Sequence, residues 1–277
     1  MIKTVLSVIG VDHSDGDLIL AIELAREAEA HLAVLVLAIS APPPASEYAA
    51  VVNAAWLEER QEDIERLRER VEEVKALLAV TQLSADVGGE YLDRAWIDEA
   101  VGHRARCADL TVIGPVLAAD DNLRTPVLKG ALYQAQIPVL FVPDGKRPTV
   151  RPKRVLVGWD GGLEASRAVH EALPLLAGAE EVHIAMVDPR GREDGLQIEP
   201  GADIAAYLAR HGVKAVVDRL PSGGQPVADA LRTHAVDTAA DMIVIGAYGH
   251  SRLRDLIFGG VTRSMIGNAD LPVFMAR

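Results

Sequence analysis

Short aliphatic runs alternate along this chain with longer segments in which apolar residues recur every three or four positions. Val5-Leu6-Ser7-Val8-Ile9-Gly10-Val11-Asp12 reads as a buried strand ending in a carboxylate, and Leu18, Ile22 and Ala25 follow at helical spacing. Far downstream, Val155-Leu156-Val157-Gly158-Trp159-Asp160 repeats the strand, and Ala165, Val169 and Leu173 repeat the helix. A second strand follows in each case, over residues 32–39 and 182–187.

The later parts recur at a nearly constant offset. Ser84-Ala85-Asp86 matches Val216-Val217-Asp218 at 132 positions, and Asp109-Leu110-Thr111-Val112-Ile113-Gly114 matches Asp241-Met242-Ile243-Val244-Ile245-Gly246 at the same separation. Ile137-Pro138-Val139-Leu140-Phe141 matches Leu271-Pro272-Val273-Phe274-Met275 at 134. Two tandem copies of one plan are therefore expected, a first domain over residues 1–145 and a second over 153–277, joined where Gly145, Pro148 and Pro152 interrupt regular structure. Each copy reads β-α-β-α-β-α-β-α-β. Alternation of this kind predicts an α/β protein with two open, doubly wound parallel sheets of strand order 3-2-1-4-5. The first copy is longer, and the excess lies in a charged helix expected over residues 45–78 after Pro42-Pro43-Pro44. Its Glu65, Arg68 and Glu69 stand at the spacing of a solvated ion-pair face.

Composition narrows the functions. Aromatic residues make up only 4% of the 277, so the core must rest on Ala, Val, Leu and Ile, as buried parallel strands require. The formal net charge of −12 opposes binding to nucleic acid, which needs a cationic surface. The basic run Lys146-Arg147, Arg151, Lys153-Arg154 reads as solvated linker. No apolar run reaches the ~20 residues that span a bilayer, and the N-terminus passes directly into strand pattern, so a cytoplasmic protein without a membrane partner is expected. Cys107, the single cysteine, excludes an internal disulfide and a cysteine-based zinc site; its place at a helix end suggests a buried or half-buried thiol. His170, His183 and His234 are scattered, with no metal-ligand spacing.

Open α/β sheets bind ligands beyond the carboxyl ends of their strands, where the strand order reverses. In the second copy the first and fourth strands end in Asp160 and Gly246. Gly246-Ala247-Tyr248-Gly249 is followed, nine residues on, by Gly259-Gly260-Val261-Thr262-Arg263-Ser264, where a helix is expected to begin. Unpaired amides at a helix N-terminus, with glycines on both sides of the loop, would converge on phosphate groups, and the Thr262 hydroxyl would add a donor. His250, Ser251 and Arg252 lie inside that loop. The stretch is neither a Walker A motif nor a dehydrogenase fingerprint.

On these residues the chain resembles the universal stress protein family, as a tandem member: Asp160 at the end of a first strand, then Gly246, Gly249 and Gly259 at the spacing Gly, two residues, Gly, nine residues, Gly. The resemblance implies a Rossmann-like fold of the adenine nucleotide alpha hydrolase type, with Asp160 on the adenosine part of ATP, Met186 or Val187 against adenine, and the glycine loop on the phosphates, with Mg2+ as accompanying cation. It also implies association through the last strand, so that the halves form an internal pseudo-dimer with Phe141 and Phe274 near the contact, and that two chains form a homodimer. Gly260 departs from the pattern, which carries Ser or Thr there; the missing hydroxyl is worth ~1 kcal/mol. The first copy departs further. Asp12 and Gly114 remain, but Pro115 to Asp121 and Thr125-Pro126 replace the glycines, and Asp120 and Asp121 repel phosphate. The expectation is a nucleotide-binding regulatory or interaction module with an unknown protein partner. A slow ATPase or nucleotidyl-transfer enzyme, and a scaffold or binder of a small acidic metabolite, are the alternatives.

Overall fold

The computed structural model describes residues 1–41, 54–189, 201–247 and 260–277. The chain divides into two compact units, Ile2–Ile137 and Pro138–Arg277, the latter with Met1. The first contains β1 (Thr4–Gly10), α1 (Gly16–Ala28), β2 (His31–Ile39), α2 (Ala54–Ala79), β3 (Ala85–Leu92), α3 (Ile97–Ala105), β4 (Leu110–Ile113), α4 (Pro115–Ala119) and α5 (Arg124–Lys129), followed by a π-helical turn over Gly130–Ala135. Its strands lie in the order β3-β2-β1-β4, all parallel. The second contains β5 (Val139–Phe141), β6 (Arg154–Gly158), α6 (Leu163–Leu176), β7 (Glu181–Val187), α7 (Ala202–Arg210), β8 (Ala215–Leu220), α8 (Val227–Asp237), β9 (Met242–Gly246), α9 (Gly260–Gly267) and β10 (Val273–Ala276).

The second repeat has the expected strand order, β8-β7-β6-β9-β10, in parallel. β5 adds to this unit antiparallel to β10, with Phe141 opposite Val273 and Phe274 opposite Leu140. The end of the first repeat thus belongs, by its contacts, with the second unit, whereas the repeat pattern alone would assign residues 138–145 to the first.

The strands are buried on both faces because their residues are almost wholly aliphatic. Val5, Leu6, Val8 and Ile9 of β1 and Val155, Leu156 and Val157 of β6 are all buried. Helices cover them with the predicted stripes. Leu18, Ile22 and Ala25 of α1 and Ala165 and Val169 of α6 are buried, while Leu173 is half-buried and Ala172 and Leu176 complete the seam. The long charged helix exists as α2; it buries Leu67, Val74 and Leu78 and carries the Arg68–Glu65 ion pair at 3.1 Å on its exposed side. The stretch 45–53 of the expected helix lies outside the described residues. Cys107 is exposed, contrary to the sequence expectation, because the turn after α3 directs Ala105 and Ala108 inward and the thiol outward.

The repeats share a hydrogen-bonded clasp that fixes the first strand against the fourth. Asp109 Oδ2 accepts from the amides of Lys3 (2.7 Å) and Thr4 (2.9 Å). Asp241 Oδ2 accepts from Lys153 (2.8 Å) and Arg154 (3.0 Å). Measured from this clasp, Asp12 does not fall where Asp160 falls, because β1 has 7 residues and β6 has 5. The two aspartates are alike in sequence but displaced along the strand.

Gly246 is where α6 meets the end of β9. A Cβ there would lie 2.5 Å from the Ala165 nitrogen and from the Glu164 carbonyl carbon, both backbone atoms that cannot swing aside. Gly260, the first residue of α9, faces open space. Gly246→Ala is therefore expected to destabilise the protein by ~1–3 kcal/mol in urea denaturation. Gly260→Ala should be neutral or stabilise by up to ~1 kcal/mol.

Candidate functional site

In the second unit a cleft of ≈ 230 Å³ opens at the carboxyl ends of β6 and β9. Gly158, Trp159 and Asp160 come from β6 and the turn after it, Val187 from the end of β7, and Ile245 and Gly246 from β9. Gly260, Val261 and Thr262 come from the first turn of α9. Residues separated by about a hundred positions therefore meet at one opening, as the reversal of strand order dictates. Val187, Val227, Leu231 and Ile245 make an apolar wall; Asp160, Glu164 and the α9 N-terminus make a polar one. Trp159 is a wall of the cleft.

Local structure explains each placement. Asp160 Oδ1 accepts from the Gly162 amide at 2.8 Å, tightening the turn into α6, and Gly161 takes a left-handed φ of 76° there. Arg232 of α8 donates to the Ser264 carbonyl at 2.9 Å and so ties α9 to α8. The leading amides of α9 have no acceptor within their own helix and present partial positive charge at this end. Thr262 lines the cleft but is only 3% exposed.

Asp160, Val187, Gly246, Gly260, Val261 and Thr262 all line this one cleft. Met186 is not part of the lining. It is buried, and its sulfur lies against Gly201 at the start of α7, since alternation along β7 turns it to the side opposite Val187. Gly249, Gly259, His250, Ser251 and Arg252 lie outside the described residues. Glu164 was not foreseen. It reaches the cleft because α6 begins against Gly246, a proximity that spacing along the chain does not reveal.

The first unit has a corresponding opening of ≈ 260 Å³, but its amides are answered by the chain's own carboxylates. Asp17, 3% exposed, accepts from Val116 N (3.0 Å) and Leu117 N (2.7 Å) in the first turn of α4. Burial pushes its carboxyl above the ordinary range, although the hydrogen bonds from Leu117 and Val116 pull it down. Asp120 accepts from Asn122 N (2.8 Å) and Leu123 N (3.2 Å). The Gly10 amide donates to His13 Nδ1 at 3.0 Å, which leaves Nε2 to donate to Asp120, also at 3.0 Å. Burial raises the Asp120 carboxyl, but the hydrogen bonds from His13, Asn122 and Leu123 outweigh it and hold the group below its usual range. Arg66 of α2 lies 3.4 Å from Asp12 and also pairs closely with Asp63, and Arg70 reaches Asp15 at 2.6 Å.

Three residues read as isolated or merely repeated in sequence come together beside β7 and β8, outside the lining of the cleft. Asp218 Oδ2 lies 2.7 Å from His183 Nδ1 and 2.8 Å from His234 Nε2. His183 on β7 and Asp218 on β8 lie two register positions apart, and α8 supplies His234. The one signal in sequence was that His31 and Asp86 recur as His183 and Asp218.

The fold and cleft define a doubly wound α/β protein with a ligand crevice at its strand-order reversal. Residues 152–277 match the model of the universal stress protein family. That stretch forms a universal stress protein domain. Universal stress protein Slr1230 of Synechocystis sp. (strain PCC 6803) is 28% identical over 129 residues, 45% of this chain and 42% of that protein. Stress response protein NhaX of Bacillus subtilis is 39% identical over 54 residues, 20% of this chain and 32% of that protein. The matches therefore span less than half of these curated relatives. Over almost the full length, the fold is similar to that of a universal stress protein from Archaeoglobus fulgidus. The TM-score is 0.65 at 18% identity, covering 98% of this chain and 96% of that one. A putative universal stress protein from Pseudomonas aeruginosa gives a TM-score of 0.58 at 18% identity, covering 99% and 93%.

The internal carboxylates of the first unit have measurable consequences. Asp17→Ala strands two amides at the start of α4 and is expected to cost ~1–3 kcal/mol in urea denaturation. For Asp120 the folded-state value is depressed, so its ionised form stabilises the fold above the ordinary carboxyl range. That stability is lost as pH falls through the depressed value, because the unfolded chain takes up the proton first. Asp120→Asn should therefore be less stable than the parent at pH 7, with the difference shrinking towards roughly pH 3.

Proposed function

We propose that the second repeat binds an adenine nucleotide, ATP with Mg2+, in the cleft between β6 and β9, and that occupancy sets the state of a stress-response regulatory module. The observation that carries this reading is the meeting of Asp160, Gly246 and the N-terminal turn of α9 at one opening. A carboxylate at the strand end suits the hydroxyls of a ribose. The apolar wall beside Val187 suits a purine face, and the leading amides of α9 suit phosphate. Met186 is not assigned to the adenine contact, since it turns away from the cleft.

The first repeat, whose amides are already held by Asp17 and Asp120, is assigned no nucleotide, so one site per chain is expected. An internal pseudo-dimer of the repeats through their last strands is part of this reading. Asp160 and Glu164 both line the cleft, which makes magnesium-dependent turnover the reading to measure beside binding.

The test is calorimetric titration of the full chain with ATP and magnesium, with product release followed in parallel. Gly260→Ser is the informative variant, because its side chain would enter open space at the mouth of the cleft. Saturable binding at one site is expected, tightened about fivefold in Gly260→Ser by a further hydroxyl worth ~1 kcal/mol. Asp160→Ala should weaken it about tenfold. Flat heats in both the parent and Gly260→Ser would overturn the nucleotide assignment.

A further inference from the structure

His183, Asp218 and His234 converge on one point beside β7 and β8, outside the lining of the cleft. Their ligand atoms all lie within 4.8 Å of one another, and the three side chains are 13%, 22% and 18% exposed. The same position in the first unit shows what is unusual here. His31 precedes Ala33, which pairs with Asp86; His183 precedes Ala185, which pairs with Asp218 in the equivalent register. In the first unit Arg104 Nη2 lies 2.9 Å from Asp86 and supplies a permanent positive charge. The His31 ring there places Nδ1 on the Ser84 hydroxyl at 2.7 Å and Nε2 on Asp86 at 3.0 Å.

The second unit changes both partners. Val216 replaces Ser84, so His183 has no hydroxyl beside it and turns Nδ1 to Asp218. The imidazole of His234 takes the place of the guanidinium. The Asp218 carboxylate is thereby left facing two imidazole nitrogens and no fixed cation among the described residues. Both imidazole nitrogens lie on a single oxygen of that carboxylate, Oδ2.

We propose that His183 Nδ1, Asp218 Oδ2 and His234 Nε2 form a binding site for a divalent transition-metal cation of the zinc class. Zinc takes imidazole nitrogen and carboxylate oxygen at about 2.0–2.2 Å in tetrahedral geometry, which sets donor atoms ~3.3 Å apart. The present 2.7 and 2.8 Å separations need open by only about half an ångström. Two imidazoles with one carboxylate select zinc, cobalt, nickel or copper over magnesium and calcium, which prefer oxygen. Glu181 Oε1 lies 3.4 Å from His183 Nε2. With the proton kept on that nitrogen, metal binding releases the Nδ1 proton now bonded to Asp218 to solvent and turns the Nδ1 lone pair to the metal, with Glu181 as the outer carboxylate that metal-bound histidines commonly have. A solvent water would complete the fourth position, since the group is partly exposed.

The test uses the full chain without nucleotide in a Cys107→Ser background, which removes the exposed thiol as a competing donor. Zn2+ is titrated against a chromophoric chelator, and Co2+ is followed by its visible absorption. His234→Arg copies the arrangement of the first repeat and keeps an ion pair to Asp218, so it separates loss of the metal from loss of the fold. One equivalent of zinc, a rise in Tm with zinc, and a tetrahedral cobalt spectrum are expected. Affinity should fall at least about tenfold in both His234→Arg and His183→Gln, and be unchanged in Asp160→Ala. Absence of a stoichiometric site in the parent, or undiminished binding in both histidine variants, overturns the proposal.

Discussion

Burial of aliphatic parallel strands on both faces is the constraint from which the rest of this structure follows. Val, Leu and Ile in β1, β2, β6, β7 and β9 leave no face that water can occupy, so helices must pack on both sides. Right-handed crossovers then deliver every strand-to-helix turn to the same edge of the sheet. In the second unit that edge gathers Asp160, Val187, Gly246 and the start of α9 around one opening, although they are dispersed in the chain. The missing side chain at Gly246 lets α6 come close enough to close the inner wall. The clasp of Asp241 on the amides of Lys153 and Arg154 holds β6 and β9 in the register that places their ends side by side.

The two repeats use one scaffold with opposite electrostatics. The helix-terminal amides of the first are consumed by Asp17 and Asp120, so an anion from solution would have to displace carboxylates held by short hydrogen bonds. Arg66 and Arg70 of α2 are likewise spent on Asp12, Asp63 and Asp15. In the second, Glu164 takes the helix position of Asp17, against Gly246 as Asp17 lies against Gly114, and lines the cleft. The His–Asp arrangement diverges in the same way, with a fixed guanidinium in one copy and a second imidazole in the other. Duplication thus leaves the first copy internally neutralised and gives the second a different arrangement of charges around the same scaffold.

Some of this was legible before folding. Periodicity and the 132-residue offset determined the element order, the repeat and the doubly wound class, because burial on both faces writes itself into sequence as continuous apolar runs. Strand ends followed by glycine marked the cleft, since close backbone approach demands the absence of a Cβ. The placement of Met186 and Cys107 was not legible to the same degree. A single step along a strand or turn reverses which way a side chain faces, and hydropathy does not report it.

Tertiary structure alone decided the rest. It assigned β5 to the unit of β10, because ladder hydrogen bonds join strands that are 134 positions apart in the repeat. It displaced Asp12 from the place of Asp160 through two extra residues of β1. It also joined His183 and His234 across Asp218, residues with no common spacing, because neighbouring parallel strands and the helix beside them bring distant positions within hydrogen-bond reach. Local sequence carries burial and turns; which charges meet depends on register between strands, a property of the assembled sheet.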